Sequence, residues 1–107
     1  MKRGDLVTVA MAGAYGKPRP AVIIQSDAFG DVWSVTFLPL TSDVTEAWTY
    51  RVRVEPNPAN GLSLTSQVMA DKCSTLPRSK VGPVFGHLSD LEMAAVNRAL
   101  AIFLGFV

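Results

Sequence analysis

The chain has 107 residues, enough for one small domain around one core, and its 49% apolar content excludes a disordered polypeptide. The single cysteine, Cys73, excludes an internal disulfide and fits a reducing compartment. Net charge is only +1, so an anionic partner has to be met by a local arrangement of cations rather than by an overall basic field.

In chain order, Lys2 and Arg3 are followed by Asp5 and Thr8 rather than an apolar run, so the start does not read as a signal peptide. Residues 5–10, rich in Val and Leu, read as a first strand, and 11–18, with Gly13, Gly16 and Pro18, as a loop. Residues 20–25 form an apolar strand, and 27–31 a turn. The spacing predicts a third strand over 32–38, with Trp33, Val35 and Phe37 on one face, ended by Pro39. After a polar loop, 49–54 alternate as a strand that puts Arg51 and Arg53 on one face. Residues 55–61 are a turn region, and 66–76 supply one or two short strands. Short strands at this spacing suggest a small barrel.

The character then changes. Ser89 and Glu92 form a capping box, with Leu88 and Met93 at the staple positions. Met93, Val96, Leu100, Phe103 and Leu104 make one stripe at helical spacing, and Gly105 is a stop, so the helix is expected over roughly 89–104. The stripe reads as core or dimer contact. Residues 93–107, interrupted by Asn97 and Arg98, are too short to span a bilayer, and the expected location is the cytoplasm. Nothing marks a linker or repeat, so 1–107 reads as a single domain.

The chemistry concentrates at Lys17-Pro18-Arg19-Pro20. Each proline fixes its own φ, and Pro20 pushes Arg19 into an extended conformation. A planar, permanently charged fork on a stiff backbone suits a phosphate; the plainer alternative is a surface arginine leading into a strand. His87, the only histidine, is the natural acid–base group by chemistry. Standing alone just before the helix, it reads as structural. No Cys/His cluster or dense carboxylate motif indicates a metal site, and no cofactor is expected.

Met1-Lys2-Arg3-Gly4-Asp5-Leu6-Val7, Arg19-Pro20-Ala21-Val22-Ile23-Ile24, Leu38-Pro39-Leu40-Thr41-Ser42 and Gly61-Leu62-Ser63-Leu64-Thr65-Ser66-Gln67-Val68 together resemble, in order, the MazF/PemK family of toxin endoribonucleases. The resemblance implies an SH3-like small β-barrel with a C-terminal helix. It implies sequence-selective, metal-independent cleavage of single-stranded RNA to a 2′,3′-cyclic phosphate and a 5′-hydroxyl. It also implies a homodimer, neutralised by a cognate antitoxin with a flexible acidic segment. Arg19 matches the family's catalytic arginine and Thr41 its strand-end threonine, whose hydroxyl can donate to a phosphate oxygen; Ser42 beside it could do the same. Asp71 matches an aspartate that in some relatives pairs with an arginine two residues earlier. Here that position is Met69, so a base role for Asp71 requires burial to raise its pKa. Lys17, Arg51 and Arg53 are candidates for the RNA backbone, and Trp48 and Tyr50 for stacking on bases. Two alternatives remain. One is a CcdB-like gyrase-binding toxin on the same barrel, suggested by the apolar tail Phe103-Leu104-Gly105-Phe106-Val107. The other is a catalytically degenerate relative, suggested by Met69.

Overall fold

The computed structural model describes residues 1–10, 17–46 and 49–107. Most of the loop expected over 11–18, and Trp48, lie outside them. Among the described residues seven strands precede one α-helix: β1 (Asp5–Val9), β2 (Arg19–Ile23), β3 (Ser34–Thr41), β4 (Arg51–Val54), β5 (Ser66–Met69), β6 (Ser74–Pro77), β7 (Val81–His87) and α1 (Asp90–Leu104). All pairings are antiparallel, in the order β4-β5-β3-β2-β1-β7, with β6 also on β3. The fold is thus mainly β with a C-terminal helix. Among the described residues the sheet curls without closing by strand pairing.

The middle strands are buried on both faces, which is why 21–23 read as a continuous apolar run rather than an alternating one. Leu6, Val22, Leu38 and Leu40 face α1 and pack with Met93, Val96 and Ala99. Val7, Val9, Ala21, Ile23, Val35 and Phe37 face the other way and are covered by Leu76 and Val81 from the strands that curl over them. Arg3 fastens the helix to this sheet: its Nε donates to the Ile24 carbonyl and its Nη2 to Asn97 Oδ1.

Several elements differ from the sequence expectation. The third strand does not stop at Pro39 but runs to Thr41. Residues 34–37 of β3 pair with β6 and residues 40–41 with β5, so Pro39 falls where β3 passes from one neighbour to the other and no amide is needed on that edge. Trp33 lies just before the strand and is 73% exposed, away from the buried Val35 and Phe37. Residues 66–76 hold two strands, β5 and β6, joined by a 3₁₀ turn over Ala70–Lys72. Gly82, Pro83 and Gly86 hid β7, which is an edge strand where such residues are tolerated. The capping box at Ser89 and Glu92 is present, and Gly105 closes α1 at φ +82°. The helical stripe, however, buries Met93, Val96 and Ala99, whereas Phe103 and Leu104 are each 47% exposed. No described helix is long and apolar enough to cross a membrane.

Candidate functional site

A cleft of about 530 Å³ opens where the start of β2 meets the segment between β4 and β5 and the edge strand β7. Lys17 and Arg19 bring two cations to it, and among the described residues no carboxylate or imidazole lines it. Arg19 begins β2 opposite Val9, between the two prolines, and its side chain is exposed. Its backbone is therefore fixed by pairing and ring constraints while the guanidinium is free to meet a ligand. Ser42, Ser63, Ser66 and Thr8 add hydroxyls, and Leu40, Leu62 and Phe85 supply apolar surface. Two cations, several hydroxyls and no acid make a site for an anion beside an apolar group.

Thr41 sits at the end of β3, paired with Gln67, and its Oγ1 accepts from the Asp43 amide at 3.1 Å. The hydroxyl keeps its proton for donation. Strand alternation makes Leu40 and Ser42, rather than Thr41, the residues of this segment that line the cleft. Buried Gln67 holds the following loop: its Oε1 accepts from the Thr45 amide and its Nε2 donates to the Thr45 carbonyl.

The remaining sequence candidates among the described residues do not join this cleft. Arg51 and Arg53 do share a face of β4, but each already has a carboxylate. Arg51 forms a two-pronged ion pair with Asp71, Nε to Oδ1 at 2.8 Å and Nη2 to Oδ2 at 3.0 Å. Arg53 pairs with the exposed Glu55. With Arg98 these arginines border a separate groove between β4 and α1. Tyr50 packs its ring on Phe103 and beneath the Arg51 guanidinium, so it is not an open platform for bases. His87 ends β7 opposite Asp5, outside the cleft lining.

Asp71 does not meet the condition its base role required. Burial by itself pushes the carboxyl up. The Arg51 hydrogen bonds, its own backbone amide and the charges of Arg51 and Lys72 together outweigh that and hold it below the ordinary value of 3.8. An arginine does reach the aspartate, but across the strand pair: Arg51 stands opposite Met69 in the register. Sequence reasoning could not place it, because the two partners are twenty positions apart. The pair's contribution is present above the unfolded pKa and lost as pH falls through the lowered folded one. Asp71→Asn is therefore expected to cost about 1–2 kcal/mol near neutral pH, between an exposed and a fully buried pair. The gap to wild type should narrow below about pH 4. Urea denaturation across that range checks it, and a gap constant with pH would refute the assignment.

Among the described residues no group of three or more His, Cys, Asp or Glu could hold a metal ion. Thr8, Ser63, Leu64, Ser66 and Phe85 are among the cleft residues that the sequence reading does not propose, and Phe85 escapes it because it belongs to the unrecognised β7.

Comparison with known proteins agrees with this architecture. The sequence pattern of the PemK-like, MazF-like toxins of type II toxin–antitoxin systems matches residues 2–104. Over 106 residues the chain is 49% identical to the probable endoribonuclease MazF of Mycolicibacterium smegmatis, covering 98% of this chain and 97% of that protein. A solved endoribonuclease in complex with its cognate antitoxin, from a mycobacterial species, superposes with a TM-score of 0.84 at 25% identity, over 100% of this chain and 97% of that one. The Mycobacterium tuberculosis toxin MazF-mt6 gives 0.82 at 24% identity, over 94% and 96%, a likeness of fold.

Proposed function

This chain belongs to the PemK-like, MazF-like toxins of type II toxin–antitoxin systems, and from that premise we propose that it is a metal-independent endoribonuclease. It cleaves single-stranded RNA sequence-selectively to a 2′,3′-cyclic phosphate and a 5′-hydroxyl. The observation that carries the reading is the pairing of Lys17 and Arg19 on a cleft with hydroxyls and, among the described residues, no lining carboxylate. In this reaction the 2′-hydroxyl oxygen attacks the adjacent phosphorus as it gives its proton to solvent water, and the 5′-oxygen departs, taking a proton from solvent to become the 5′-hydroxyl. Two negative charges collect on the phosphorane oxygens between those events. A guanidinium and an ammonium fixed beside the phosphate stabilise that state more than the singly charged ground state. The same two cations disfavour a divalent metal in the cleft.

Arg19 is assigned the non-bridging oxygens and Lys17 the flanking backbone. Thr41 donates its free hydroxyl proton to a phosphate oxygen or, through its turn with Asp43, sets the position of Ser42; comparing Thr41→Ala with Ser42→Ala separates the two. Asp71 and Arg51 brace the sheet beneath α1. A regular A-form duplex keeps the 2′-hydroxyl out of line with its phosphorus, so unpaired RNA is the substrate.

Incubation of the purified protein with RNA in EDTA, followed by end mapping, tests the proposal. Cyclic phosphate and 5′-hydroxyl ends confined to unpaired segments are expected. Cleavage only with added magnesium, or 5′-phosphate ends, would overturn the mechanism.

Neutralisation follows the same charges: an antitoxin segment rich in carboxylates covers Lys17 and Arg19. A solved endoribonuclease similar to this chain is in complex with its cognate antitoxin, which supports an antitoxin as the partner. The chain also acts as a homodimer. Phe106 and Val107 are 76% and 87% exposed and continue the open Phe103 and Leu104 surface, an apolar extent that a lone small domain leaves to water at a cost. Light scattering at low micromolar concentration should give twice the chain mass, and Phe106→Asp should shift it toward the monomer. A monomeric wild type would remove the dimer.

A further inference from the structure

We propose that Phe85, with Leu64 beside it in the cleft, is the seat for one nucleobase next to the phosphate held by Arg19. The inference rests on the RNA-cleavage reading and adds to it a residue that positions substrate and contributes to sequence choice.

Three independent features of the structure converge on this ring. The first is the local pairing of β7. Val7 stands opposite Val84, and Leu6 opposite Gly86, so the register shifts by one and Phe85 has no partner on β1. It is the extra residue of a β-bulge. A bulge breaks the alternation of side chains and re-aims one of them, and here it turns a large ring into the cleft. A regular strand would have placed residue 85 by simple alternation with its neighbours.

The second is the brace behind the ring. Gly61 adopts φ +64°, and a Cβ on it would lie 3.2 Å from Phe85 Cδ1 and 2.9 Å from the Phe85 carbonyl oxygen. The turn therefore presses against the edge of the ring, and only a residue without a side chain fits there. One edge of Phe85 is thus backed by the turn, and the residue still keeps 37% of its surface exposed.

The third is exposure. Phe85 is 37% exposed and Leu64, in the same cleft, 62%. Two large apolar side chains facing water beside two cations suit a ligand with a flat apolar part joined closely to an anion. A nucleotide has that form: a base with a π-face one sugar away from a phosphate. Stacking on an aromatic ring is the usual way unpaired RNA bases are held, with an aliphatic group able to close the other face. The cleft volume of about 530 Å³ accommodates such a unit.

The test uses an RNA with a 2′-deoxy sugar at the mapped cleavage position, which binds without being cut, and a panel of the same strand with one abasic site each. Affinities are measured by fluorescence anisotropy for wild type and Phe85→Leu, a change that keeps an apolar side chain against Gly61. Phe85→Leu should bind the intact strand about tenfold more weakly, the loss of one stacked base. One abasic position beside the 2′-deoxy sugar should weaken wild type by a similar factor and have no further effect in Phe85→Leu. Phe85→Trp should restore binding. Unchanged affinity in Phe85→Leu with a wild-type melting curve would overturn the seat, and so would losses that add independently at every abasic position. A variant that binds RNA normally but escapes neutralisation by the antitoxin would assign the seat to a protein side chain and overturn it equally. Cleavage by wild type in the first experiment keeps the enzyme reading standing in each of these cases.

Discussion

Arg19→Ala is expected to slow RNA cleavage about a thousandfold, a loss of roughly 3–4 kcal/mol in the transition state by analogy with removing an oxyanion donor. The geometry gives the reason. Arg19 is exposed at the start of β2, its backbone extended between Pro18 and Pro20 and paired to Val9, so its guanidinium has a defined origin and an open path to the cleft. Truncation removes no core contact, and circular dichroism and the melting temperature should match wild type. Arg19→Lys keeps the charge but not the planar fork, and should fall between the two. Thr41→Ala should cost less than Arg19→Ala, because a neutral hydroxyl, whether that of Thr41 or of the Ser42 its turn positions, makes a weaker bond to a phosphate oxygen than a guanidinium does. Single-turnover rates under saturating enzyme give these values directly. Wild-type rates in a folded Arg19→Ala protein would move the chemistry elsewhere in the molecule.

Local signals were legible in the sequence, and long-range pairings were not. The capping box at Ser89 and Glu92, the Gly105 stop and the constraint on Arg19 all depend on residues within a few positions of one another. Each of these can be read directly from the chain. Pro39 reads as a strand end from sequence alone, whereas tolerance of a missing amide depends on which neighbour is present at that point in the sheet. Strand β7 was lost for a similar reason: its Gly and Pro residues make sense only once Gly86 is seen pressed against the Asn60 carbonyl and Phe85 on its bulge. The family pattern sets an arginine two residues before Asp71, where this chain has Met69, and the arginine that pairs with Asp71 lies across the sheet at Arg51. Charge patterning showed correctly that Arg51 and Arg53 share a face, but not that both are already paired. A contact between strands is set by register, and register is not written in either strand alone.

Asn60→Ala is expected to destabilise the fold by on the order of 3 kcal/mol, the largest stability effect of any polar substitution considered, and to loosen the cleft with it. Asn60 is fully buried in a turn region that looks from sequence like ordinary solvent-exposed loop. Its Oδ1 accepts from the amides of Asn57 and Leu62, both at 3.0 Å, and its Nδ2 donates to the Glu55 carbonyl at 2.8 Å. Alanine would leave two amides and a carbonyl without these partners where water does not replace them freely. The same turn carries Ala59, whose carbonyl accepts from the His87 amide, and Gly61, which braces Phe85. Loss of the side chain therefore frees one wall of the cleft as well as the turn. For a domain of this size the melting temperature should drop by about 15 °C. Asn60→Asp separates hydrogen bonding from shape. It preserves two acceptor contacts but turns a carboxylate oxygen toward the Glu55 carbonyl, so the variant should be weak near neutral pH. Its folded pKa is then raised, and part of the deficit should be recovered as acid protonates the group and lets it donate to that carbonyl. Asn60→Ala within about 0.5 kcal/mol of wild type, the range of ordinary surface changes, would show that the turn holds its shape without this side chain.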